Sequence, residues 1–196
     1  MKWILLLLVS SAIPAHAELK GSRYFIGSSA FTLVNLIPNL DEPPHFYQLN
    51  LGYQLSPKDT FSIEFKTWRY YAPLGITNQA SVPVSDKFPG YISSLGVGMA
   101  YQRFLWRNLY TAMHVAYFKQ AYRNLDHSTL ANGQQIFMTF RLGYHISFFS
   151  DRFFLEPSLA MTYWPIEKGM PDSFQAQEDR WKKFNFEPGL HFGYVF

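Results

Sequence analysis

Hydrophobic and polar residues alternate along most of the chain with a period of two. The clearest case is residues 184–196, where polar or small residues at odd positions oppose apolar residues at even positions. The even positions carry Phe184, Phe186, Pro188, Leu190, Phe192, Tyr194 and Phe196. Because successive side chains of a strand point to opposite faces, the pattern predicts a β-strand with one apolar and one polar face.

Seven earlier segments show the same alternation, so the sequence predicts about eight strands in all. The earlier segments span about residues 23–33, 45–55, 60–71, 91–103, 109–120, 134–147 and 152–164. The first is the least regular, because Gly27, Ser28, Ser29 and Ala30 blur the two faces. Each of the others has one face apolar enough to contact lipid.

Short and long connections alternate between these strands. Short turns are predicted at residues 56–59, 105–108 and 148–151, and longer loops at residues 34–44, 72–90, 121–133 and 165–180. Outer-membrane barrels have short periplasmic turns and longer extracellular loops. An open sheet would leave unpaired strand edges in lipid, so the first and last strands must pair. The sequence therefore predicts an all-β fold, a closed antiparallel up-and-down transmembrane β-barrel of about eight strands.

Two prolines fall inside predicted strands. Pro157 and Pro188 lie on the apolar face, each after a glutamate, in the similar segments 154–159 and 185–190. Proline has no amide proton to give to a strand ladder, so each is predicted to mark a bulge or a local break.

Composition supports a membrane barrel over a helical membrane protein. Aromatic residues make up 19% of the chain, yet its mean hydropathy is only −0.10. A barrel reconciles these values because only alternate residues face lipid. The chain has no cysteine, which excludes disulfides and thiolate chemistry. Its net charge of +3 is too small and dispersed to indicate nucleic-acid binding.

The amino terminus has the features of a secretory signal peptide. Lys2 supplies a positive charge, residues 3–9 an apolar run, and Ala15-His16-Ala17 a small-x-small cleavage site. The apolar run is too short to span a bilayer. We therefore expect cleavage of residues 1–17 on export, with residues 18–196 forming a single barrel domain in the outer membrane.

The predicted barrel resembles the small outer-membrane β-barrels of Gram-negative bacteria, such as the OmpA membrane domain and the OmpX-like proteins. The specific motif is the terminal strand, where Leu190, Phe192, Tyr194 and Phe196 match the carboxy-terminal signature of that family. The resemblance implies that this signature is read by the barrel-assembly machinery, and that outer-membrane lipid and lipopolysaccharide surround the protein.

The predicted inward face carries many ionisable side chains. They are Glu64, Lys66, His114, Arg141, His145, Glu156, Lys183, Glu187 and His191. Buried charges must be paired, so the first interpretation is an interior salt-bridge network in a side-chain-filled lumen. That interpretation gives the protein a structural or surface-interaction role, with its extracellular partner left open.

Two alternatives remain at this stage. In the first alternative, the protein is a narrow channel or carrier, and the inward groups form a path for ions or small solutes. Such a path requires a continuous column of water. Phe118, Phe137, Phe154 and Trp164 are predicted to face inward and would obstruct it.

The second alternative is an enzyme that modifies lipid A or phospholipid, which needs a nucleophile and a base within reach of lipid. His145 and Ser147 are predicted to face the lumen, and the cluster of Asp126, His127 and Ser128 lies on a loop. We therefore expect no enzymatic activity, no cofactor and no metal site.

Residues near the outer strand ends are predicted to contact the membrane interface. Trp68, Tyr70, Tyr71, Trp164 and Trp181 suit an aromatic girdle. Arg69 and Lys119 are predicted to face outward and to reach anionic lipid head groups.

Overall fold

The computed structural model describes residues 23–77 and 81–196. The predicted signal peptide at residues 1–17 lies outside the described residues. Within those residues the chain forms nine strands: β1 Tyr24–Ser29, β2 Tyr47–Gln54, β3 Asp59–Tyr70, β4 Gly90–Trp106, β5 Leu109–Asn124, β6 Thr129–Tyr144, β7 Ile146–Phe148, β8 Phe153–Lys168 and β9 Phe184–Val195. Short 3-10 helices span Ala30–Leu36 and Val84–Asp86, and one α-helix, α1, spans Asp172–Glu178.

The strands form a closed antiparallel ring. Strands β1 to β6 pair in sequence order, β6 and β7 both pair with β8, and β8 pairs with β9, which pairs with β1. The short strand β7 continues the path of β6 beyond His145 and pairs with the start of β8. Because β6 and β7 together occupy one position in the barrel wall, the nine strands fill eight positions. This confirms the predicted barrel of about eight strands.

Sequence and structure differ most at the strand ends that carry the longer loops. We call these ends extracellular and the ends with the short turns periplasmic, as the sequence predicts. The predicted loop at residues 121–133 is wrong, because β5 and β6 continue pairing up to Arg123 and Thr129 and leave only residues 125–128 between them. The first strand is also shorter than predicted. It ends at Ser29, whose hydroxyl accepts a hydrogen bond from the Phe31 amide and begins a 3-10 helix.

The two strand prolines lie where a ladder is interrupted or ended. Pairing on one side of Pro157 stops at Gly143 and Ser158 and resumes at Ile146 and Leu155. This break agrees with the prediction at Pro157. Pro188 pairs with β8 without any register shift, so the predicted bulge is absent on that side, while the ladder with β1 has already ended at His191.

A belt of apolar side chains surrounds the outside of the ring. Members include Leu49, Leu51, Ile63, Phe65, Leu95, Val97, Met99, Met113, Phe140, Leu142, Leu159, Phe186, Leu190 and Phe192, all of them exposed. In the row Ile63, Met99 and Val115, three adjacent strands contribute one outward side chain each. A water-soluble protein rarely exposes so continuous an apolar surface, whereas lipid requires one.

The belt has the height of a bilayer core. Polar rows bound it on β4 at Ser93, which lies opposite Arg69, and at Arg103, which forms an ion pair with Asp59. Ten residues at about 3.3 Å each give a strand length of about 33 Å. At a tilt of about 40° this corresponds to about 25 Å along the barrel axis, the height of an outer-membrane apolar band.

Within residues 23–77 and 81–196, no helix is long and apolar enough to cross a membrane.

The belt predicts how an outward charge affects stability. Met99 lies near the middle of the belt and is 58% exposed. We expect Met99→Arg to lower the free energy of unfolding in lipid vesicles by about 2–4 kcal/mol, since the cation must enter the bilayer midplane. Met99→Leu is the matched control and should change it by less than about 1.5 kcal/mol. Equal stability of the two variants in denaturant titrations would contradict a lipid-facing belt.

Candidate functional site

The lumen contains a buried ionic cluster that joins β3 to β5. Glu64 on β3 is fully buried, with its Oε2 2.8 Å from Lys66 Nζ and its Oε1 2.9 Å from His114 Nδ1. β4 lies between these strands and presents Gly98 opposite Glu64. A Cβ at Gly98 would lie 2.9 Å from the Ala116 Cβ, so the small residues of β4 and β5 leave the space that the ionic cluster fills.

A second polar group lies nearer the periplasmic end. Glu156 Oε1 lies 2.8 Å from His145 Nδ1 and accepts a hydrogen bond from Gln102 Nε2 at 2.9 Å. His145 occupies the interruption between β6 and β7, and its ring stacks on Phe154 at 5.3 Å. The break in the ladder near Pro157 therefore coincides with the position of this imidazole.

Arg141 belongs to neither group. Its Nη1 donates to Ser158 Oγ at 2.8 Å, and its Nε is buried without a hydrogen-bond partner. Ala160 lies between Arg141 and Glu187 in one row of the barrel, and His191 lies opposite Glu156. Apart from Lys183, which lies near Glu167, the ionisable residues that the sequence assigns to the inward face therefore lie on the lumen side, but they divide into separate groups.

A cavity of about 120 Å³ lies below the Glu64 cluster. Its walls include Glu64, Glu156 and His191, and its rim includes Pro57 and Asn108 of the periplasmic turns. The periplasmic half of the lumen is thus polar and partly open.

The extracellular half of the lumen is filled by an apolar core. Its buried members are Tyr70, Leu74, Phe88, Ile92, Tyr122, Trp164 and Phe174, with Trp68, Ala131, Phe137 and Met170 packed against them. Phe137 and Trp164 stack with ring centroids 5.9 Å apart. We call this set the aromatic plug.

The aromatic plug corrects the girdle predicted from the sequence. Trp68, Tyr70 and Trp164 point into the lumen, because they share the inward face of their strands with Glu64 and Glu156. Leu74, Phe88 and Phe174 come from the loops and α1, so the extracellular segments fold back into the barrel mouth. Outward positions at this rim hold other aromatic residues, such as Tyr47.

Two glutamates are buried inside the aromatic plug, a feature that the sequence analysis missed. Glu167 accepts a hydrogen bond from Gln135 Nε2 at 3.0 Å, and its Oε2 lies 3.9 Å from Lys183 Nζ. Glu178 on α1 accepts from the Trp164 indole nitrogen at 3.0 Å. The sequence placed both glutamates in the predicted loop at residues 165–180, whereas in the structure Glu167 lies on β8 and Glu178 on α1.

A register shift explains the burial of Glu167. Met138 pairs with Tyr163 and Ile136 with Ile166, so β8 holds one extra residue between them. The extra residue reverses the alternation of inward and outward side chains. Glu167 then faces inward although its parity is that of the lipid-facing residues of β8.

Burial raises the pKa of Glu178 above its ordinary value, and the hydrogen bond from Trp164 opposes this shift. A raised carboxyl pKa means that the docked helix holds a proton that the undocked helix releases. Docking of α1 is therefore strongest at low pH and weakens as pH rises above the ordinary carboxyl range.

The candidate catalytic residues do not form a nucleophile–base pair. Ser147 Oγ donates to Asp151, and His145 faces Glu156. In the extracellular turn, Ser128 Oγ donates to Asp126 Oδ1 at 2.6 Å while His127 Nδ1 lies 2.8 Å from the Tyr91 hydroxyl. Across the described part of the chain, no group of three His, Asp or Glu side chains is arranged to hold a metal ion.

No protein-family model matches the chain, and no curated protein matches its sequence. Among solved structures, Acinetobacter baumannii CarO is 11% identical with a TM-score of 0.45, over 89% of this chain and 97% of that chain. Acinetobacter baumannii CarO2 is 8% identical with a TM-score of 0.42, over 89% of this chain and 98% of that one. Likeness of this degree says nothing about function, and the resemblance to OmpA and OmpX-like proteins stays a prediction from the terminal strand.

The Glu64 cluster predicts a strong effect of removing one charge. We expect Glu64→Gln to lower the free energy of unfolding by about 3–5 kcal/mol, because Lys66 loses its carboxylate partner inside the lumen. The double variant Glu64→Gln with Lys66→Met removes both charges and should recover part of that loss. Urea titrations in detergent micelles measure both. A double variant no more stable than Glu64→Gln would contradict the ion pair.

The raised pKa of Glu178 predicts a pH-dependent helix. We expect amide hydrogen exchange in α1, corrected for intrinsic rates, to accelerate as the pH rises above the ordinary carboxyl range and Glu178 ionises. Glu178→Gln keeps an acceptor for Trp164 and should abolish this dependence. Asp172→Asn removes an exposed acid from the same helix and should preserve it. A wild-type helix with no pH dependence would contradict the prediction.

Proposed function

We propose that the protein is an outer-membrane β-barrel with a closed lumen and a structural or surface-interaction role. The aromatic plug is the observation that carries this proposal. It crosses the extracellular half of the lumen with fully buried rings such as Trp164 and Phe174, and the Glu64 cluster lies beneath it. Ion conduction needs a continuous column of water, which apolar side chains interrupt.

The exterior belt supports the membrane location. Its height fits a bilayer core, and a closed ring leaves no unpaired strand edge in lipid. We place the short turns in the periplasm and the loops outside the cell. In this orientation Phe196 lies at the periplasmic rim, where its amide donates to the Tyr24 carbonyl at 3.1 Å.

The terminal strand supports assembly as an outer-membrane protein. Leu190 and Phe192 are exposed on the outer face of β9, in alternation with Gly189, His191 and Gly193. We propose that these residues, together with Tyr194 and Phe196, are recognised by the barrel-assembly machinery.

The loops support a surface role. Lys87 Nζ lies 2.8 Å from Glu42 Oε1, and Arg180 Nη2 lies 2.8 Å from Asp86 Oδ1. These ion pairs join the loops at residues 30–46, 71–89 and 169–183 into one cap. The cap exposes apolar side chains, notably Val84 at 85%, which suit contact with an extracellular partner.

Two measurements test the proposal. Density-gradient fractionation of membranes should place the protein in the outer membrane, with a heat-modifiable mobility on electrophoresis because the closed barrel resists unfolding. In planar bilayers the purified protein should give no resolved single-channel steps, with a general porin as positive control.

Clear conductance steps that disappear in Arg141→Ala would overturn the closed lumen and favour a narrow channel. Recovery in the inner membrane or a soluble fraction would overturn the location. Lipid A with a changed acyl pattern after overexpression, detected by mass spectrometry, would overturn the non-enzymatic role.

A further inference from the structure

The barrel carries a group of cations on its outer surface at the extracellular edge of the apolar belt. Arg69 on β3 lies opposite Ser93, and Arg123 on β5 lies opposite Tyr91 of β4. Lys119 lies opposite Leu95 in the first row of the belt, one outward row below Arg69 and two below Arg123. We call Arg69, Lys119 and Arg123 together with Tyr91 the rim basic patch.

Tyr91 lies on β4, between the strands that carry the two arginines of the rim basic patch. The Arg69 guanidinium carbon lies 4.7 Å from the centre of the Tyr91 ring. Arg123 Nη1 donates to the His127 carbonyl at 3.2 Å, and the His127 ring bonds the Tyr91 hydroxyl at 2.8 Å. Tyr91 is only 3% exposed although it points outward, so neighbouring side chains cover its ring.

The cations of the patch lack anionic partners. Among residues 23–77 and 81–196, no carboxylate oxygen lies within 4.0 Å of the side-chain nitrogens of Arg69, Lys119 or Arg123. Arg69 Nε is also buried with no hydrogen-bond partner. A guanidinium that is partly desolvated and unpaired is costly unless an anion outside the protein binds it.

Two other cations at the same end of the barrel are paired. Lys87 binds Glu42 and Arg180 binds Asp86, both in the loop cap above the belt. These paired cations lie in the loops, whereas the rim basic patch lies at the height at which lipid head groups meet the barrel. Arginine is suited to phosphate because its planar fork gives two parallel hydrogen bonds.

We propose that the rim basic patch binds the phosphate groups of the glycolipid in the outer leaflet, the lipid A portion of lipopolysaccharide. Arg69 and Arg123 donate to the phosphate oxygens, and Lys119 lays its aliphatic stem along the belt with its ammonium group toward the same head group. Leu95, 64% exposed below Lys119, contacts the first acyl carbons. This site rests on the proposed outer-membrane location and names a lipid partner for it.

The test uses the purified full-length mature barrel in neutral detergent and its affinity for lipid A. We expect bisphosphorylated lipid A to bind the wild type and dephosphorylated lipid A to bind at least about tenfold more weakly. Arg69→Gln with Arg123→Gln should weaken binding of bisphosphorylated lipid A by about tenfold or more. Arg123→Gln alone, near the end of β5, should weaken it in the same direction if the double variant fails to fold.

The matched control is Lys87→Gln with Arg180→Gln, which removes two cations from the same end. This control should keep wild-type affinity within about twofold, because both of its cations already bind carboxylates. An equal loss of lipid A affinity in the control would show that binding depends on net charge alone. That result would overturn the rim basic patch as the binding site.

Two further outcomes would overturn the proposal. Undiminished binding of lipid A by the arginine variants would remove the patch as its site. Equal affinity of the wild type for inorganic phosphate and for lipid A would assign the patch to free phosphate.

The proposed outer-membrane location and the proposed lipid A site can be contradicted separately. Since binding is measured on purified protein, lipid A affinity with recovery outside the outer membrane would contradict the location alone. Outer-membrane recovery without lipid A affinity would contradict the site alone.

Discussion

Hydrogen-bond closure of the sheet is the constraint on which the rest of the structure depends. A strand edge left open in hydrocarbon would expose a row of amides and carbonyls that lipid cannot satisfy. Pairing of β1 with β9 removes that edge, and pairing of β6 and β7 with β8 completes the ring. Because the ring is closed, every strand has one face in the lumen and one on the belt. The positions of all candidate site residues follow from that division.

A barrel with eight strand positions encloses a narrow lumen, so the volume of the inward side chains decides how far the lumen is filled. Where β4 and β5 present small residues, such as Gly98 and Ala116, polar side chains from β3 and β5 meet across the strands and form the Glu64 cluster. Towards the extracellular end the inward positions hold aromatic rings, which exclude water. The lumen is therefore polar with a cavity towards one end and filled by aromatic side chains towards the other.

The sequence determined the periodicity, the approximate number of strands and the face to which most side chains belong. Alternation over residues 184–196 was enough to put Glu187 and His191 on the face opposite Phe192, because a one-residue slip would expose charges to lipid. The same alternation assigned Arg69 and Lys119 to the outer face near the rim. These features are local, since they depend on the pleat of a single strand and on the contrast between lipid and lumen.

Only the tertiary structure decided which side chains meet and where the strands stop. Residues 125–128 form a tight turn because β5 and β6 continue to pair beyond the apolar belt. The extra residue after Tyr163 turned Glu167 into the lumen, and a parity rule cannot anticipate such a shift. The contact of α1 with Trp164 and that of Arg69 with Tyr91 join different elements of the fold. Periodicity fixes the direction of each side chain, whereas its partners depend on strand register, and register is a property of the closed ring.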